Sequence, residues 1–366
     1  MAGTLRWGIL STANIGRKNW AAIRNSGNGI LIAVASRDLA RAQNFIDDCQ
    51  QEVAFDDAPR AMGSYDELVA ADDVDALYIP LPTGLRKEWV IKAAQAKKHV
   101  LCEKPCAKNA EDLQEMIKAC AENKVQFMDG IMCMHSDRMA KIREALDDPE
   151  CLGKITRISS GFSFCASPQF MTEDIRLNSD LEPAGALGDL GWYNIRATLV
   201  AMKHEMPRSV RATLLSSASR ADSPAPVSTE FSAELFFANG TSASFYNSFL
   251  TEFQQWLHVS GSKGNLRVDD FVVPYAGGEI GFCVAKDRLM INGCKFVMEN
   301  RRTDSVVQEH GSNDPNAQES KLFRNFAVLA LGGIPDAFWP EASLKTQRIL
   351  DACLKSAHSG GSLVEL

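Results

Sequence analysis

Short apolar runs alternate with helix-like segments over residues 1–130, and this alternation restricts the fold more than any other feature. The run ILIAVA at 30–35 is typical: it is too short for a buried helix and rich in branched side chains. Strands are predicted at 5–10, 30–35, 75–80, 98–102 and 125–128. Helices are predicted after the first turn up to about residue 25 and at 39–49, 64–71, 88–96 and 109–122. Strands and helices that alternate at this spacing predict βαβ units, and therefore an α/β domain with a doubly wound parallel sheet.

Residues 131–366 follow a different pattern and are predicted to form a second domain of the α+β class. Strands are predicted at 154–164, 209–217, 230–237, 241–249, 255–259 and 264–268, joined by turn-like stretches. Apolar and polar residues alternate within them, which indicates a mostly antiparallel, open sheet with one solvated face. Helices predicted at 188–202, 318–331 and 342–356 are expected to cover the other face.

The segment between the first strand and the first helix has the spacing of a dinucleotide-binding loop. The three glycines of the G-x-G-x-x-G fingerprint would fall on Ser11, Ala13 and Gly16, and only the third is a glycine. Small side chains still permit backbone amides to approach a pyrophosphate, provided that Ser11 avoids positive φ. The cofactor-binding candidates here are Gly8, Ser11, Thr12, Ala13, Asn14 and Ile15. An ordinary strand-to-helix turn is the alternative.

Further cofactor candidates follow the other strands, because ligands of open parallel sheets bind outside the carboxyl ends of strands. They are Leu81, Pro82 and Thr83 after the strand at 75–80, and Glu103 and Lys104 after the strand at 98–102. A polar loop that precedes a helix is the alternative for the last pair.

The end of the second strand favours NADP(H) over NAD(H). An NAD-specific site usually has a carboxylate there for the ribose 2′-hydroxyl. This chain has Ser36 and Arg37, and Asp38 is predicted to cap the next helix instead. Ser36, Arg37 and Arg41 offer donors that suit a 2′-phosphate. Stacking of Arg37 on adenine would serve NAD equally, so use of both cofactors is the alternative.

Three further residues fit hydride transfer. Oxidation of an alcohol needs a base for the hydroxyl proton and a cation near the developing alkoxide. Asp189 and Tyr193 lie four residues apart in a glycine-rich helical segment, and Lys104 could favour the phenolate of Tyr193 or polarise a carbonyl. A helix start with Asp189 at its positive end and a half-buried Tyr193 is the alternative.

Composition excludes several other classes. Acidic residues outnumber basic ones, 46 to 39, and the net charge of −7 argues against a nucleic-acid partner. No apolar run approaches the roughly 18 residues of a membrane span, so no membrane partner is expected. The amino terminus is expected to begin directly on the first strand, without a leader. Ten scattered cysteines indicate reduced thiols and a cytoplasmic location, and no Cys/His set has zinc-ligand spacing, so no metal is predicted.

The motifs in order resemble the Gfo/Idh/MocA family, named for glucose–fructose oxidoreductase and inositol dehydrogenase. They are the loop at 8–16, VASR at 34–37, KHVLCEKP at 98–105, GALGDLGWY at 185–193, VSGSKGNLRV at 259–268 and ASLKTQRILD at 342–351. The chain is most similar to plant putative oxidoreductases and, more distantly, to dihydrodiol and D-xylose dehydrogenases. The resemblance implies a Rossmann domain followed by an α+β domain that often pairs in a dimer, and a catalytic Lys104.

Two residues depart from the family pattern. Tyr193 stands where many members carry histidine, and the dihydrodiol-dehydrogenase branch uses tyrosine there, which implies that the acid/base role survives. Arg86 stands where many members carry a histidine in the loop after the strand at 75–79, which suggests an anionic or polar substrate group. His135 and Arg176 join Asp189 and Tyr193 as substrate-binding candidates, against the alternatives of a supporting histidine and a surface arginine.

The preferred interpretation is an NAD(P)-dependent oxidoreductase that acts on a sugar, polyol, cyclic diol or related carbonyl. The alternatives are a reductase of a plant ketone or imine, a redox-neutral enzyme that retains its cofactor, and a nucleotide-sensing regulatory protein. The last needs none of Lys104, Asp189 and Tyr193. A homodimer through the open sheet is predicted from Phe236, Phe245, Tyr246 and Phe249, which place unusual aromatic surface on its strands.

Overall fold

The computed structural model describes residues 3–311 and 314–366. These residues divide into two compact units that are not contiguous in sequence. The first unit runs to His135 and also contains Asn178–Pro183 and the segment that ends at Gln347. The second unit contains Ser136–Leu177, Ala184–Gly311 and Arg348–Leu366.

The first unit is built on a six-stranded parallel sheet. Its elements in chain order are β1 Leu5–Leu10, α1 Asn14–Ser26, β2 Gly29–Ala35, α2 Leu39–Glu52, β3 Arg60–Met62, α3 Tyr65–Ala70, β4 Ala76–Ile79, α4 Thr83–Gln95, β5 His99–Cys102, α5 Ala110–Glu122 and β6 Phe127–Asp129. The strand order is β3-β2-β1-β4-β5-β6, which reverses between β1 and β4. Open parallel sheets bind ligands outside the carboxyl ends of the strands at such a reversal. The predicted doubly wound sheet is confirmed.

Polar side chains start several of these helices. Asp38, Ser64 and Asn109 precede α2, α3 and α5, and each side chain accepts a hydrogen bond from a backbone amide in the first turn of its helix. Such caps satisfy amides that have no partner within the helix. The predicted cap by Asp38 is confirmed by its bond from the Ala40 amide, at 2.9 Å.

The remaining elements continue the chain beyond β6. They are a 3₁₀ turn Met132–His135, α6 Asp137–Asp147, β7 Ile155–Ser163, α7 Pro168–Glu173, a 3₁₀ turn Ile175–Leu177, a π-helical turn Leu187–Gly191, α8 Trp192–Ala201, β8 Ser209–Ala218, β9 Val227–Phe236, β10 Ser242–Ser248, β11 Gln254–Gly261, β12 Asn265–Val268, β13 Glu279–Ala285, β14 Arg288–Asn292, β15 Lys295–Glu299, β16 Arg302–Gln308, α9 Gln318–Leu331, α10 Phe338–His358 and β17 Val364–Glu365.

The second unit contains a nine-stranded sheet in the order β16-β13-β12-β11-β7-β10-β9-β8-β17. The β7–β10 pair is parallel and the other neighbours are antiparallel, as predicted for a mostly antiparallel sheet. Helix α8 is buried along its whole length and packs on β7 and β11. Strands β14 and β15 form a separate hairpin.

The predicted set of outward-facing aromatic residues is partly wrong. Phe245 and Phe249 are buried, whereas Phe236 and Tyr246 occupy half-exposed positions of β9 and β10. Successive side chains of a strand point to opposite faces, so Phe245 and Tyr246 cannot share one face. Trp256 and His258 on β11 are half-exposed as well, and their rings are in contact, with centroids 5.0 Å apart.

Helix α9 lies where the sequence did not place it. We expected it to cover the antiparallel sheet, but it packs in the first unit on α1 and β1. Phe323 and Phe326 of α9 contact Trp7 of β1, with ring centroids 5.1 and 5.0 Å apart. An amphipathic pattern predicts that a helix buries one face, but it does not identify the sheet that receives that face.

Within the described ranges, no helix combines the length and the apolar character that a membrane crossing requires. All ten cysteines carry free thiols.

Candidate active site

The turn between β1 and α1 has a backbone conformation that the sequence did not predict. Ser11 adopts φ +136°, contrary to the expectation that it avoids positive φ. Its Oγ accepts a hydrogen bond from the Ala13 amide at 3.1 Å, and such short-range bonds favour turns at serine. Positive φ costs energy for a side chain other than glycine and is found most often at functional sites.

Helix α1 offers its amino-terminal amides in a form that fits a dinucleotide pyrophosphate. The helix begins after Ala13, whose methyl group cannot accept a hydrogen bond, and its first turn has no acidic residue. Thr12 and Ala13 are half-exposed, and Asn14 and Ile15 are exposed. Gly8 and Gly16 instead serve packing, since a Cβ at Gly8 would lie 2.8 Å from Leu68 and one at Gly16 would lie 3.2 Å from Phe45. The helix dipole favours an anion at this turn, and no side-chain cap competes for it.

The end of β2 presents two cations beside a buried serine. Ser36 is buried and its amide donates to the carbonyl of Met62 at 3.1 Å. Arg37 and Arg41 are exposed, and no carboxylate of the described residues forms an ion pair with either. The Asp38 carboxylate is used as a helix cap. The positive charge of the two arginines is therefore available to a ligand.

The residues after β4 are arranged differently from the prediction. Helix α4 begins at Thr83, earlier than predicted, and Leu81 and Thr83 are buried while Pro82 is half-exposed. The amide and the hydroxyl of Thr83 donate to the Glu182 carboxylate, at 3.0 and 2.6 Å. Of the three predicted cofactor contacts after β4, only Pro82 presents its side chain to solvent.

The sequence suggested that Arg86 lies in a loop and faces the substrate, and the structure shows neither. It lies inside α4 and is 4% exposed. Its guanidinium donates to the backbone carbonyls of Leu81, at 2.6 Å, and Glu103, at 2.9 Å, and makes a short bond to that of Pro105. A buried guanidinium that donates to three backbone carbonyls has a structural role and is not a ligand contact.

Lys104 stands at the carboxyl end of β5 and is half-exposed. The neighbouring Glu103 is buried, and its carboxylate accepts bonds from the Tyr78 hydroxyl at 2.7 Å and from the Lys104 amide at 3.2 Å. Asn19 of α1 donates to the Tyr78 oxygen at 2.5 Å. This network connects α1 and β4 to the residues that follow β5, including the Lys104 amide. The sequence motifs did not point to Asn19 or Tyr78.

The protonation of this network follows from its burial. Burial, and then the adjacent Glu103 carboxylate, hold the pKa of Tyr78 well above its ordinary value. The phenol therefore stays protonated and donates to Glu103. The carboxylate is fixed in turn, because the Tyr78 hydroxyl, the Lys104 amide and, at 3.4 Å, Asn19 Nδ2 donate to it.

In the second unit the structure brings two predicted substrate residues together. Asp189 lies in the π-helical turn, and its Oδ2 accepts a bond from Nε of Arg176 at 2.8 Å. Arg176 also pairs with Asp174 at 3.2 Å. Turns of π-helix are frequent at functional sites, and the Asp189 side chain in this turn is 15% exposed.

Tyr193 lies in the first turn of α8, and its ring meets the edge of the Phe162 ring at a centroid distance of 5.7 Å. It is 6% exposed. The next residue, Asn194, donates to Ser160 Oγ at 2.8 Å and accepts from Asn247 at 2.8 Å. These buried bonds fix the helix turn that carries Tyr193.

The glycines around Asp189 have a packing role that the sequence did not reveal. Gly185 has φ +51°, and a Cβ there would overlap the carbonyl of Ser228. A Cβ at Gly191 would lie 2.8 Å from Asn247 Oδ1. The glycines therefore let the π-helical turn approach β9 and β10 closely.

His135 is packed inside the first unit, which argues against the predicted substrate contact. Its ring is 6% exposed and stacks on Trp339, with centroids 4.5 Å apart. Its Nδ1 lies 3.1 Å from Asn325 Nδ2. The alternative of a supporting histidine is the one that this geometry favours.

Among the described residues, histidine, cysteine and carboxylate side chains form no group of three or more that could hold a metal ion.

Comparison with known proteins identifies the family. Residues 5–131 match the model of an oxidoreductase family with an NAD-binding Rossmann fold, and residues 139–267 match the Gfo/Idh/MocA carboxyl-terminal domain. An NADP⁺-dependent D-xylose 1-dehydrogenase of Haloferax volcanii is 29% identical, over 98% of this chain and 99% of its own. A dTDP-3,4-didehydro-2,6-dideoxy-α-D-glucose 3-reductase of Streptomyces violaceoruber is 30% identical over 75% of both chains.

The fold of one solved structure is similar to that of this chain over nearly its whole length. It is a 3-ketoreductase of Actinomadura kijaniata with NADP and TDP-benzene, with a TM-score of 0.79 and 25% identity, covering 97% of this chain and 98% of its own. The predicted enzyme class, an NAD(P)-dependent oxidoreductase, is confirmed by these matches. The chain belongs to the Gfo/Idh/MocA family of oxidoreductases.

Proposed function

We propose that this enzyme transfers a hydride between NADP(H) and a sugar, polyol, cyclic diol or related carbonyl. The observation that carries the proposal is the position of Lys104. This half-exposed lysine follows the carboxyl end of the parallel strand β5, and the backbone around it is held by hydrogen bonds. The named relatives act on D-xylose and on a keto-sugar nucleotide, which are members of this substrate class. The nicotinamide, when bound, supplies or accepts the hydride.

The roles of the chain's own residues follow from their chemistry. Lys104 is proposed to place its ammonium at the oxygen that gains negative charge, and Tyr193 to donate or accept the hydroxyl proton. Asp189, held by Arg176, is proposed to bind a substrate hydroxyl. One cation and two carboxylates give the Asp174–Arg176–Asp189 cluster a net charge of −1, which favours a neutral or cationic group there.

A panel of substrates followed at 340 nm tests the proposal. D-xylose, other aldoses, polyols and trans-1,2-dihydrobenzene-1,2-diol are offered with NADP⁺, and ketones and cyclic imines with NADPH. We expect turnover of at least one sugar, polyol or diol. Turnover of imines alone would favour the alternative reductase, and tight nucleotide binding without any turnover would favour a sensor.

Arg37→Ala is expected to weaken NADPH binding more than NADH binding, by roughly 1.5–3 kcal/mol, because a charged hydrogen bond to the 2′-phosphate is lost. The exposed position of Arg37 beside Arg41 supports this. Fluorescence titration of both cofactors measures the effect, and Arg211→Ala on β8, also exposed, is the control. Equal weakening of both cofactors, or a wild-type preference for NADH, would contradict the assignment.

A homodimer is proposed to form through the half-exposed face of the nine-stranded sheet. Phe236, Tyr246 and Trp256 place aromatic rings there. Light scattering at micromolar concentration is expected to give twice the monomer mass, and Trp256→Glu to give the monomer. The control is Ile334→Glu in the first unit, at a residue 84% exposed. A wild-type monomer would refute the dimer.

Finer assignments complete the proposal. Cofactor binding is assigned to residues 1–130 and substrate binding with dimerisation to residues 131–366. A cytoplasmic location, supported by ten free thiols, is tested by imaging of a fluorescent fusion. Placement beside the plant members of the family remains a prediction.

A further inference from the structure

We propose that Arg86 is the positioning residue of the Lys104 loop, defined here as residues 102–106, and that it controls turnover through the backbone on either side of Lys104. The inference rests on the proposed role of Lys104. It assigns to a buried arginine of α4 a function that its exposure and its place in a helix would not suggest.

The hydrogen bonds of Arg86 converge on backbone carbonyls on either side of the lysine. One guanidinium nitrogen, Nη1, donates to the carbonyl of Glu103 at 2.9 Å and to that of Pro105. The Nε atom donates to the carbonyl of Leu81 at 2.6 Å, at the end of the chain segment that follows β4. The guanidinium therefore ties the Lys104 loop to the neighbouring strand end.

The Thr83 hydroxyl links this arginine to a buried carboxylate. Thr83 Oγ1 accepts a bond from Arg86 Nη1 at 3.0 Å and donates to Glu182 Oε2 at 2.6 Å. Glu182 Oε1 also accepts from the Thr83 amide at 3.0 Å. A buried charge is tolerated only when it is paired and hydrogen-bonded, and Glu182 meets this condition through Thr83.

The amide of Lys104 is held by a different partner. The Lys104 amide donates to Glu103 Oε2 at 3.2 Å, and Tyr78 fixes that carboxylate at 2.7 Å. The carbonyls of Glu103 and Pro105 and the amide of Lys104 are all bonded, so the backbone is held on both sides of the lysine. Catalytic groups must be held to within about 0.5 Å, and a 1 Å misplacement can cost about 100-fold in rate.

Only arginine can make this set of bonds. Its planar fork presents five N–H donors in fixed directions, whereas a lysine ammonium is a compact point charge with three. Arg86→Lys therefore preserves the buried charge and removes the geometry. Arg138→Lys is the matched control, because Arg138 is also buried and donates to the carbonyls of Asp270 and Gly281, within the second unit.

Hydrogen exchange measured by mass spectrometry tests the positioning without any substrate. In Arg86→Lys we expect amides in the peptide 101–107 to exchange at least about tenfold faster than in the wild type, while a peptide from β10 is unchanged. Arg138→Lys should leave 101–107 unchanged. If Arg86→Lys does not fold, Thr83→Val cuts the link between Arg86 and Glu182 and should produce the same local change. Unchanged exchange in 101–107 would overturn the proposal.

Kinetics then separate this proposal from the proposed function. With D-xylose or trans-1,2-dihydrobenzene-1,2-diol and NADP⁺, Arg86→Lys should lower kcat about tenfold or more and change the NADPH Kd less than about twofold. In a Lys104→Ala background the same change should cost less than about twofold more. Multiplicative losses would overturn the positioning role. Full activity of Lys104→Ala would overturn the role of Lys104 itself, whatever the exchange result.

Discussion

Lys104→Ala is expected to lower kcat by about a hundredfold or more while the fold stays intact, the usual loss for a positioned acid/base or charge-stabilising group. The half-exposed side chain can change without disturbing the core, since the loop is held through its backbone by Arg86 and Glu103. Steady-state rates on the panel substrate that turns over best measure the effect, and circular dichroism checks the fold.

The matched control for this variant is Lys108→Ala, which removes an exposed lysine shortly after the same strand. It should retain wild-type kcat. Near-wild-type turnover of Lys104→Ala would remove Lys104 from the reaction and with it the central role in the proposed function.

Tyr193→Phe is expected to lower kcat by a comparable amount, about a hundredfold, if the hydroxyl exchanges the reacting proton. The substitution keeps the ring and its edge-on contact with Phe162, so the packing of α8 is preserved. The change therefore isolates the hydroxyl, and kcat and KM are measured separately.

Tyr246→Phe is the control for the tyrosine variant. It removes a hydroxyl that bonds Glu230 and Thr251 in the same unit, and catalysis should be unaffected. A change in KM alone for Tyr193→Phe would make Tyr193 a binding residue and leave the proton transfer to another group.

The architecture was readable from the sequence because burial imposes simple periodicities. Fully buried parallel strands need short continuous apolar runs, and β1, β2 and β4 show them. The prediction omitted the very short β3, which lacks such a run, and the strands from β13 to β16, of which β14, β15 and β16 are mostly exposed. The sheet on which α9 packs is decided by contacts such as that between Phe323 and Trp7. These two residues are far apart in sequence, so a local pattern does not reveal the contact.

The candidate site was predictable where strand ends position it. Lys104 follows β5, and the exposed arginines follow β2, so topology alone places them at the carboxyl edge of the sheet. The tertiary partners of other residues were not predictable. Thr83 meets Glu182, Arg86 meets the carbonyls around Lys104, and His135 meets Trp339.

Backbone conformation was the other limit. A serine at the first fingerprint position seemed to require negative φ, yet Ser11 adopts φ +136° and bonds its own turn. The π-helical turn at Asp189 is equally invisible in a pattern of residue types, because the glycines that permit it resemble helix breakers. The sequence therefore identified Ser11 and Asp189 as candidate site residues but did not predict their backbone conformations.

Isotope transfer tests the central claim, that a hydride moves between the nicotinamide and a substrate carbon. The panel substrate that turns over best is deuterated at the carbon that is oxidised and incubated with NADP⁺, and the nucleotide product is examined by mass spectrometry. The account predicts NADPH that carries the deuterium. Unlabelled NADPH, or a product formed with the deuterium lost to water, would contradict it.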